Sequence, residues 1–302
     1  MTGALDEFAD WLAAKADGLV VQLDIPRSRY VGQGIRGART GLSDVLSVYS
    51  WKAAWIGPDG MTVSSGDWSS TKESLRRLRG WLASLMDDDN GSEAALLDAT
   101  RRVVDWGGGA RSAGKGADKF LRATADNGRL RTYLDRCRTI LRDATVGDPR
   151  LEEIELMNSM LTKVHALLAQ DGLPIYDSRV ACALGCLVEL YRRDAGLGWK
   201  TVPDAIRFPA IRRDRSVSVA LGDAVDPGWI YYGNRRGTTD WVEAKLKARG
   251  LLRAVLTRKP GLYVEEGELP ARMHAFEATL FMIGASPGAL FGAVEPRHAA
   301  LS

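Results

Sequence analysis

The sequence predicts a mainly α-helical protein with a small α+β part on its N-terminal side. From residue 92 onward, apolar residues recur every three or four positions in most segments, which is the period of an amphipathic helix. Before residue 87, short apolar runs are bounded by Pro and Gly, as strands and turns usually are. The acidic segment 87–91 separates these two patterns. We therefore predict an N-terminal α+β segment over 1–90, which contains a β-hairpin, and a helical domain over 91–302.

The N-terminal segment is predicted to contain two helices, a strand and the hairpin. Pro58 and Gly60 indicate the hairpin, because they suit a tight turn between two apolar runs. The second helix is expected to have Ser69 or Ser70 as its N-cap. The predicted bounds are 5–16 and 69–86 for the helices, 19–23 for the strand, and 47–56 with 61–65 for the hairpin.

The domain over 91–302 is predicted to contain six helices. Asn127 is expected to cap one of them and Asp177 another. Pro174 keeps the residue before it out of the helical region, so segment 172–176 is expected to be extended. A glycine-rich stretch over 107–116 is expected to be a flexible loop. The predicted helices are 92–106, 127–142, 154–168, 177–191, 239–256 and 271–283.

The composition argues against several classes of protein. The chain has no apolar run of 18 or more residues, so no membrane span is predicted. Residues 1–16 have no basic stretch ahead of an apolar core, so a secretory signal is not expected. Three cysteines are too few for a disulfide framework and the three histidines are scattered, so neither a metal site nor a cofactor is expected. We expect a monomer in a reducing cytoplasm.

Basic residues are concentrated in three stretches, although the net charge is only +3. Stretch 245–259 has six basic residues and no acid, stretch 111–142 has nine against three acids, and stretch 207–215 has four around Asp214. Contact of such stretches with phosphates releases counterions, so double-stranded DNA is the predicted partner. Solvated helix faces are the alternative explanation. The predicted DNA contacts are Arg111, Lys115, Arg179, Arg212 and Arg213.

Chemistry is predicted around Lys163 and Asp177. Lys163 lies towards the end of one predicted helix and Asp177 caps the next, so a short connection can bring the amine and the carboxylate to one cleft. The exposed N–H groups of a helix start stabilise a carboxylate. In a partly dry cleft that carboxylate can stabilise an oxocarbenium-like sugar or deprotonate a water. A simple N-cap for Asp177 and a solvated lysine for Lys163 are the alternatives.

The segments Thr162-Lys-Val164 and Pro174-Ile-Tyr-Asp177 resemble the helix–hairpin–helix superfamily of DNA glycosylases. In that superfamily a Pro-x-Asp segment places a catalytic aspartate at a helix start, and Asp177 matches it with one extra residue after Pro174. In the 8-oxoguanine branch a Thr-Lys-Val-like segment supplies a lysine nucleophile, which Lys163 matches. The resemblance covers residues 130–193. The Leu-Pro-Gly-Val-Gly hairpin of the superfamily has no counterpart just before Lys163, and its optional four-cysteine cluster is absent.

The resemblance implies a helical catalytic and DNA-binding core, extrusion of the target nucleotide, and hydrolysis of its N-glycosidic bond to leave an abasic site. If Lys163 reaches the sugar, a Schiff base and strand cleavage become possible, and otherwise the enzyme is monofunctional. Tyr176 and Trp106 are the candidates for the base pocket, with core packing as the alternative for each. Some bacterial members act on modified bases of invading phage DNA, so modified cytosine in phage DNA is a candidate substrate.

Two other functions remain open at this point. Asp226, Glu243 and Lys245 are similar to the Asp…Glu-x-Lys metal site of restriction-type nucleases. That site requires Glu and Lys on a β-strand, whereas the segment from Trp241 onward is predicted to be a helix. A non-catalytic protein that binds DNA or RNA is the second alternative.

Overall fold

The computed structural model of the protein describes residues 3–88, 91–108, 114–231, 233–286 and 288–292. This part of the chain is mainly helical, with two short antiparallel β-ladders near the N-terminal side, as the sequence predicts. None of its helices has the length and apolar character that crossing a bilayer requires. The predicted DNA contact Arg111 lies outside the described residues.

The N-terminal part alternates helices with the two ladders. Strand β1 pairs with β2, and β3 pairs with β4 across the turn at Pro58 and Gly60, which confirms the predicted hairpin. Strand β2 and helix α2 were not predicted from the sequence. The elements are α1 (Ala4–Lys15), β1 (Val20–Ile25), β2 (Ile35–Thr40), α2 (Leu42–Ser47), β3 (Ala53–Ile56), β4 (Thr62–Ser65) and α3 (Trp68–Asp87).

The rest of the described chain is helical. Helix α5 was not predicted from the sequence, and Gly107 and Gly108 belong to the last turn of α4 rather than to a loop. The elements are α4 (Glu93–Gly108), α5 (Gly116–Asp126), α6 (Leu130–Asp143), α7 (Leu161–Leu168), α8 (Ser178–Asp194), α9 (Val217–Leu221), α10 (Arg235–Arg258) and α11 (Leu269–Ile283).

Three of the predicted helix starts are wrong because a side chain forms a different local hydrogen bond, and α10 begins four residues before its predicted start at 239. Asp67, not Ser69 or Ser70, caps α3, and its carboxylate accepts from the Ser70 N–H at 2.7 Å. Asn127 closes α5 instead of opening α6. The predicted helix over 154–168 begins only at Leu161, because the Asn158 side chain accepts from the backbone N–H groups that follow it.

One continuous hydrophobic core spans both parts of the sequence. Helix α1 packs against α10, and α2 packs against α11, so elements from before residue 90 lie on elements near the C-terminal end. Helix α11 also packs against α8. The division at residue 90 stays a prediction, and the packing joins the two segments through buried apolar surface.

His165 on α7 is a buried polar group in this core. It is buried, and neither ring nitrogen has a hydrogen-bond partner, while Tyr133 meets it edge-on. Burial, helped by the positive charge of Lys245, lowers the pKa of His165 from 6.5 to about 3. The folded protein therefore holds a neutral imidazole at pH values where the unfolded chain binds a proton.

This burial predicts a loss of stability in mild acid. Below pH 6.5 the unfolded state binds more protons, so the free energy of unfolding falls as the pH falls towards about 3. In His165→Leu the loss should be smaller by about 1.4 kcal/mol per pH unit between about pH 5.5 and 4. Urea denaturation at several pH values measures this slope, and parallel curves for the wild type and the variant would contradict the prediction.

Candidate active site

Asp177 lies at the start of α8, as the sequence predicts. Its Oδ1 accepts hydrogen bonds from the backbone N–H groups of Arg179 at 2.9 Å and of Val180 at 3.3 Å. Only 8% of the residue is exposed. The exposed N–H groups and the dipole of α8 compensate for the carboxylate's loss of water, which is why an acid is stable at this buried position.

Three hydrogen bonds fix Tyr176, the residue before Asp177. The Tyr176 N–H donates to Thr162 Oγ1 at 3.1 Å, its carbonyl accepts from Trp241 Nε1 at 2.7 Å, and its hydroxyl donates to the Pro209 carbonyl at 3.2 Å. Lys245 in turn donates to the same Thr162 side chain at 3.0 Å. These bonds join α7, α10 and the segment before α8, and they fix the position of the Asp177 backbone.

Tyr176 therefore has a different role from the one predicted. Its ring is fully buried between these partners and does not line the cavity described below, so it cannot stack on an incoming base. The prediction placed it in the base pocket because an aromatic side chain preceded the catalytic position in sequence. The structure makes it the anchor of that position.

Lys163 lies beside Asp177, on the neighbouring helix α7. Its Nζ is 3.6 Å from Asp177 Oδ2 and donates to the Ser159 carbonyl at 2.6 Å. The lysine stem passes over Gly107 at the end of α4, where an added β-carbon would lie 2.7 Å from Lys163 Cε. The absence of a side chain at Gly107 thus leaves the space in which the amine approaches the carboxylate.

Both groups face a cavity of about 270 Å³. Residues before α4 contribute most of its aromatic wall, and α11 contributes Phe281. Trp106 also lines the cavity, and it is buried like a core residue. The wall residues from the N-terminal part are Tyr30, Tyr49, Trp51 and Trp68.

A stack of cations and rings forms one side of the cavity. Tyr30 and Trp51 lie face to face with ring centroids 4.0 Å apart. The Arg179 guanidinium lies 4.5 Å from the Trp51 ring and 4.5 Å from the Phe281 ring. At the outer end the Arg29 guanidinium covers Tyr30 at 4.4 Å. Both faces of the Trp51 ring are thus covered within the protein, one by Tyr30 and the other by Arg179, and these contacts stabilise the wall of the cavity.

Arg179 can sit between these rings because α8 and α11 approach closely. A β-carbon at Gly284, just after α11, would overlap the Arg179 carbonyl oxygen. Burial and the neighbouring Arg215 lower the pKa of Arg179 to about 10, which leaves the guanidinium charged at neutral pH. The predicted DNA contact is thus a half-buried cation in the cavity wall.

Another part of the lining is polar and comes from α11 and α3. Glu277 is 8% exposed, and its carboxyl accepts from the Ile175 N–H. His274 Nδ1 lies 3.9 Å from Glu277 Oε2, and its Nε2 faces an Arg79 nitrogen at 2.9 Å. Because a guanidinium can only donate, His274 carries its proton on Nδ1. Burial lowers the pKa of His274 to about 3, so the ring is neutral.

Arginines from the stretch 207–215 extend the cavity lining towards the surface. Arg212 is exposed and pairs with Asp214 at 3.1 Å, whereas Arg215 donates to Ser178 Oγ at 2.9 Å. Arg213 is exposed, but it does not line the cavity, and Lys115 is the exposed N-cap residue of α5. Of the predicted DNA contacts, the structure brings Arg179 and Arg212 to the cavity.

The other two basic stretches have a structural role. In stretch 245–259, Lys245 is buried, Arg249 pairs with Asp171 at 3.1 Å, and Arg258 pairs with Asp6 at 2.8 Å. In stretch 111–142, Arg136 pairs with Glu153 at 2.7 Å, and several of its neighbours are paired in the same way. Much of the positive charge of these two stretches is therefore paired with acids, some within the same stretch and some from elsewhere in the sequence.

The structure separates the residues of the nuclease alternative. Glu243 and Lys245 lie on α10, not on the β-strand that such a site requires, and Lys245 is buried against α7. Asp226 is exposed in a loop, where its carboxylate accepts from the Gly228 N–H. Within the described ranges, no group of three or more His, Cys, Asp or Glu side chains could hold a metal ion.

Sequence reasoning missed the polar residues of α3 and α11 and the aromatic wall. Glu277 and His274 stand in a helix that is apolar on all sides, and a buried acid in such a helix was the available signal. Comparisons of the chain with protein-family models, with curated proteins and with solved structures found no match.

The stack around Arg179 predicts that lysine cannot replace this arginine. Lysine keeps the charge but has no planar group to lie between Trp51 and Phe281. We expect Arg179→Lys to lower the free energy of unfolding by about 1–3 kcal/mol, because both cation–ring contacts are largely out of water. Chemical denaturation measures this loss. Arg213→Lys, at an exposed arginine, is the control and should stay within about 0.5 kcal/mol of the wild type.

Proposed function

We propose that this protein is a DNA glycosylase, which flips a modified base out of the duplex and hydrolyses its N-glycosidic bond to leave an abasic site. One observation carries the proposal above all. A buried carboxylate at a helix start, Asp177, lies 3.6 Å from a lysine amine in a cavity with aromatic walls and arginines along its lining. The resemblance to the helix–hairpin–helix glycosylases rests on the same two residues.

The chemistry of N-glycosidic cleavage matches this arrangement. As the bond to the base breaks, positive charge develops on the sugar, and a fixed carboxylate stabilises that charge. Asp177 Oδ1 is held by two backbone N–H groups, and Oδ2, which lies beside the Lys163 amine, is the oxygen that would face the sugar or an attacking water. Such a water would pass its proton to Asp177.

The walls of the cavity account for recognition of an extruded base. A flipped nucleotide is held by stacking on aromatic side chains and by hydrogen bonds to the base edge. In this site Tyr49 and Trp68 supply aromatic surface, and Glu277 with His274 supplies polar groups. Arg212 and Arg215 are placed to meet the phosphates that flank the extruded nucleotide.

Modified cytosine in phage DNA is our proposed substrate within this class. A separate cavity of about 210 Å³ adjoins the first and shares Trp68, Leu75, Ile175 and His274 with it. Lys72 and Arg76 lie along this second cavity. The four shared side chains form the wall between the two cavities, so a bulky substituent on the base would reach the second cavity if these side chains moved apart.

The first test is base release from phage DNA. Duplex DNA from phages with modified and with unmodified cytosine is incubated with the protein, and abasic sites are counted. We expect abasic sites in the modified DNA and none after Asp177→Asn, because the amide cannot stabilise positive charge or accept the proton from water. The variant should still fold, since Asn caps a helix about as well as Asp.

Asp148→Asn is the matched control. Asp148 also accepts from a backbone N–H at the start of a helical turn, but it does not line the cavity. This variant should keep the wild-type activity. If no DNA in the panel acquires abasic sites, the glycosylase proposal fails, and a non-catalytic nucleic-acid binder becomes the better description of the protein.

Lys163 provides a second, separable test. An amine beside a carboxylate that can take its proton can attack the aldehyde carbon of an abasic site, and loss of the aldehyde oxygen as water leaves a Schiff base, which borohydride traps covalently. We expect trapping of the wild type on DNA with a preformed abasic site. Gly107→Ala should reduce it by up to about 10²-fold, because the new methyl group displaces the lysine stem while the amine itself remains.

Gly116→Ala is the control for the glycine substitution. Gly116 also belongs to a helix, and an added β-carbon there meets nothing within 4 Å. Alanine suits a helix better than glycine, so neither variant should lose stability through the backbone. If the wild type is not trapped while it still releases bases, the enzyme is monofunctional and Lys163 serves only as the partner of Asp177.

A further inference from the structure

Glu277 is a second carboxyl group in the cavity of Asp177, and the chemistry described so far does not use it. It lies in the middle of α11, more than 90% buried, and its side chain lines the same cavity. Its carboxyl is held by the N–H of Ile175, two residues before Asp177. The segment that positions one carboxyl group therefore also positions the other.

Charged and titratable groups face Glu277 from each element packed around it. His274 precedes it on α11 and is neutral, and Arg79 on α3 lies behind that ring. The other groups are Asp177 at the start of α8, Lys163 on α7, Lys245 on α10, and the Tyr49 hydroxyl just after α2.

The net effect of these surroundings is to keep Glu277 protonated. Burial and the negative charge of Asp177 raise the pKa of Glu277 to about 8, and the lysines and the Ile175 N–H oppose this rise only in part. Asp177, by contrast, has two backbone N–H donors and a lysine ammonium beside it. The two carboxyl groups of this site thus have unlike environments, which is the usual arrangement of an acid with a base.

We propose that Glu277 is the general acid that protonates the departing base. This inference rests on the proposed glycosylase function and adds a second catalytic residue to it. Asp177 and Glu277 line one cavity, so an extruded nucleotide can place its sugar at the first and its base at the second.

The step balances as a hydrolysis. Water oxygen bonds to the sugar C1′, and the bond between C1′ and the base nitrogen breaks with its electron pair left on the base. Glu277 gives its proton to the base, and the attacking water gives one proton to Asp177. Glu277 ends as a carboxylate and Asp177 as an acid, and one proton transfer between them, directly or through solvent, restores the starting state.

The test is the pH dependence of base release by Glu277→Gln. The probe is the phage-DNA duplex from which the wild type releases most base, under single-turnover conditions. Wild-type base release should fall as the pH rises through about 8, because the acid form of Glu277 disappears. The glutamine variant should be slower by about 10²–10⁴-fold at neutral pH and should not show this fall.

Glutamine keeps the size of the side chain and its hydrogen bond from Ile175, so a structural role predicts an active variant. A Glu277→Gln variant that releases base at the wild-type rate overturns the assignment. A variant whose rate of base release still falls as the pH rises through about 8 overturns it as well. In both cases the glycosylase function stands if Asp177→Asn is inactive. A wild-type protein that releases no base from any DNA overturns the function and this assignment together.

A measurement without DNA checks the proton itself. In protein labelled with ¹³C at the glutamate carboxyl groups, one NMR signal should titrate near pH 8 and be missing from Glu277→Gln. If every glutamate carboxyl group titrates in the ordinary acidic range, Glu277 is ionised at neutral pH and cannot act as the acid.

Discussion

The structure depends on holding an acid out of water at the start of α8. Asp177 is compensated by two backbone N–H groups and by Lys163, and the residue before it is fixed from α7, α10 and the Pro209 loop. An unpaired charge at this depth would cost several kcal/mol. The hydrogen bonds around Tyr176 therefore do more than stabilise the fold, because they keep the carboxylate where its compensation is available.

The cavity beside this acid is assembled from distant parts of the chain. Asp177 and Lys163 come from adjacent helices, but the aromatic surface comes from residues before α4, and Glu277 comes from α11. Packing of α2 against α11 brings the aromatic and the acidic parts together. A core shared across residue 90 means that loosening the N-terminal part would change the cavity as well as the fold.

The parts that sequence could predict are those decided locally. Asp177 was recognisable because an N-cap is a property of a few adjacent residues. The buried face of α6 was recognisable because its apolar residues recur at helical spacing. Glu277 and Arg79 were not, because their meeting with His274 depends on how α3 and α11 pack. Tyr176 was misassigned because sequence order alone does not show whether a ring faces a cavity or the core.

Amino-acid composition alone could not show which basic residues are available to bind DNA. Arg136 and Arg258 counted towards a DNA-binding surface in the sequence, yet each is paired with an acid that stands elsewhere in the chain. Arg215 has a hydroxyl partner, and within the described residues no carboxylate lies at ion-pair distance from it. Counterion release raises the affinity for DNA only through basic groups whose charge the protein has not already neutralised. Arg215 therefore carries more weight for binding a polyanion than the longer basic stretches, and more than Arg212, which pairs with Asp214 at 3.1 Å.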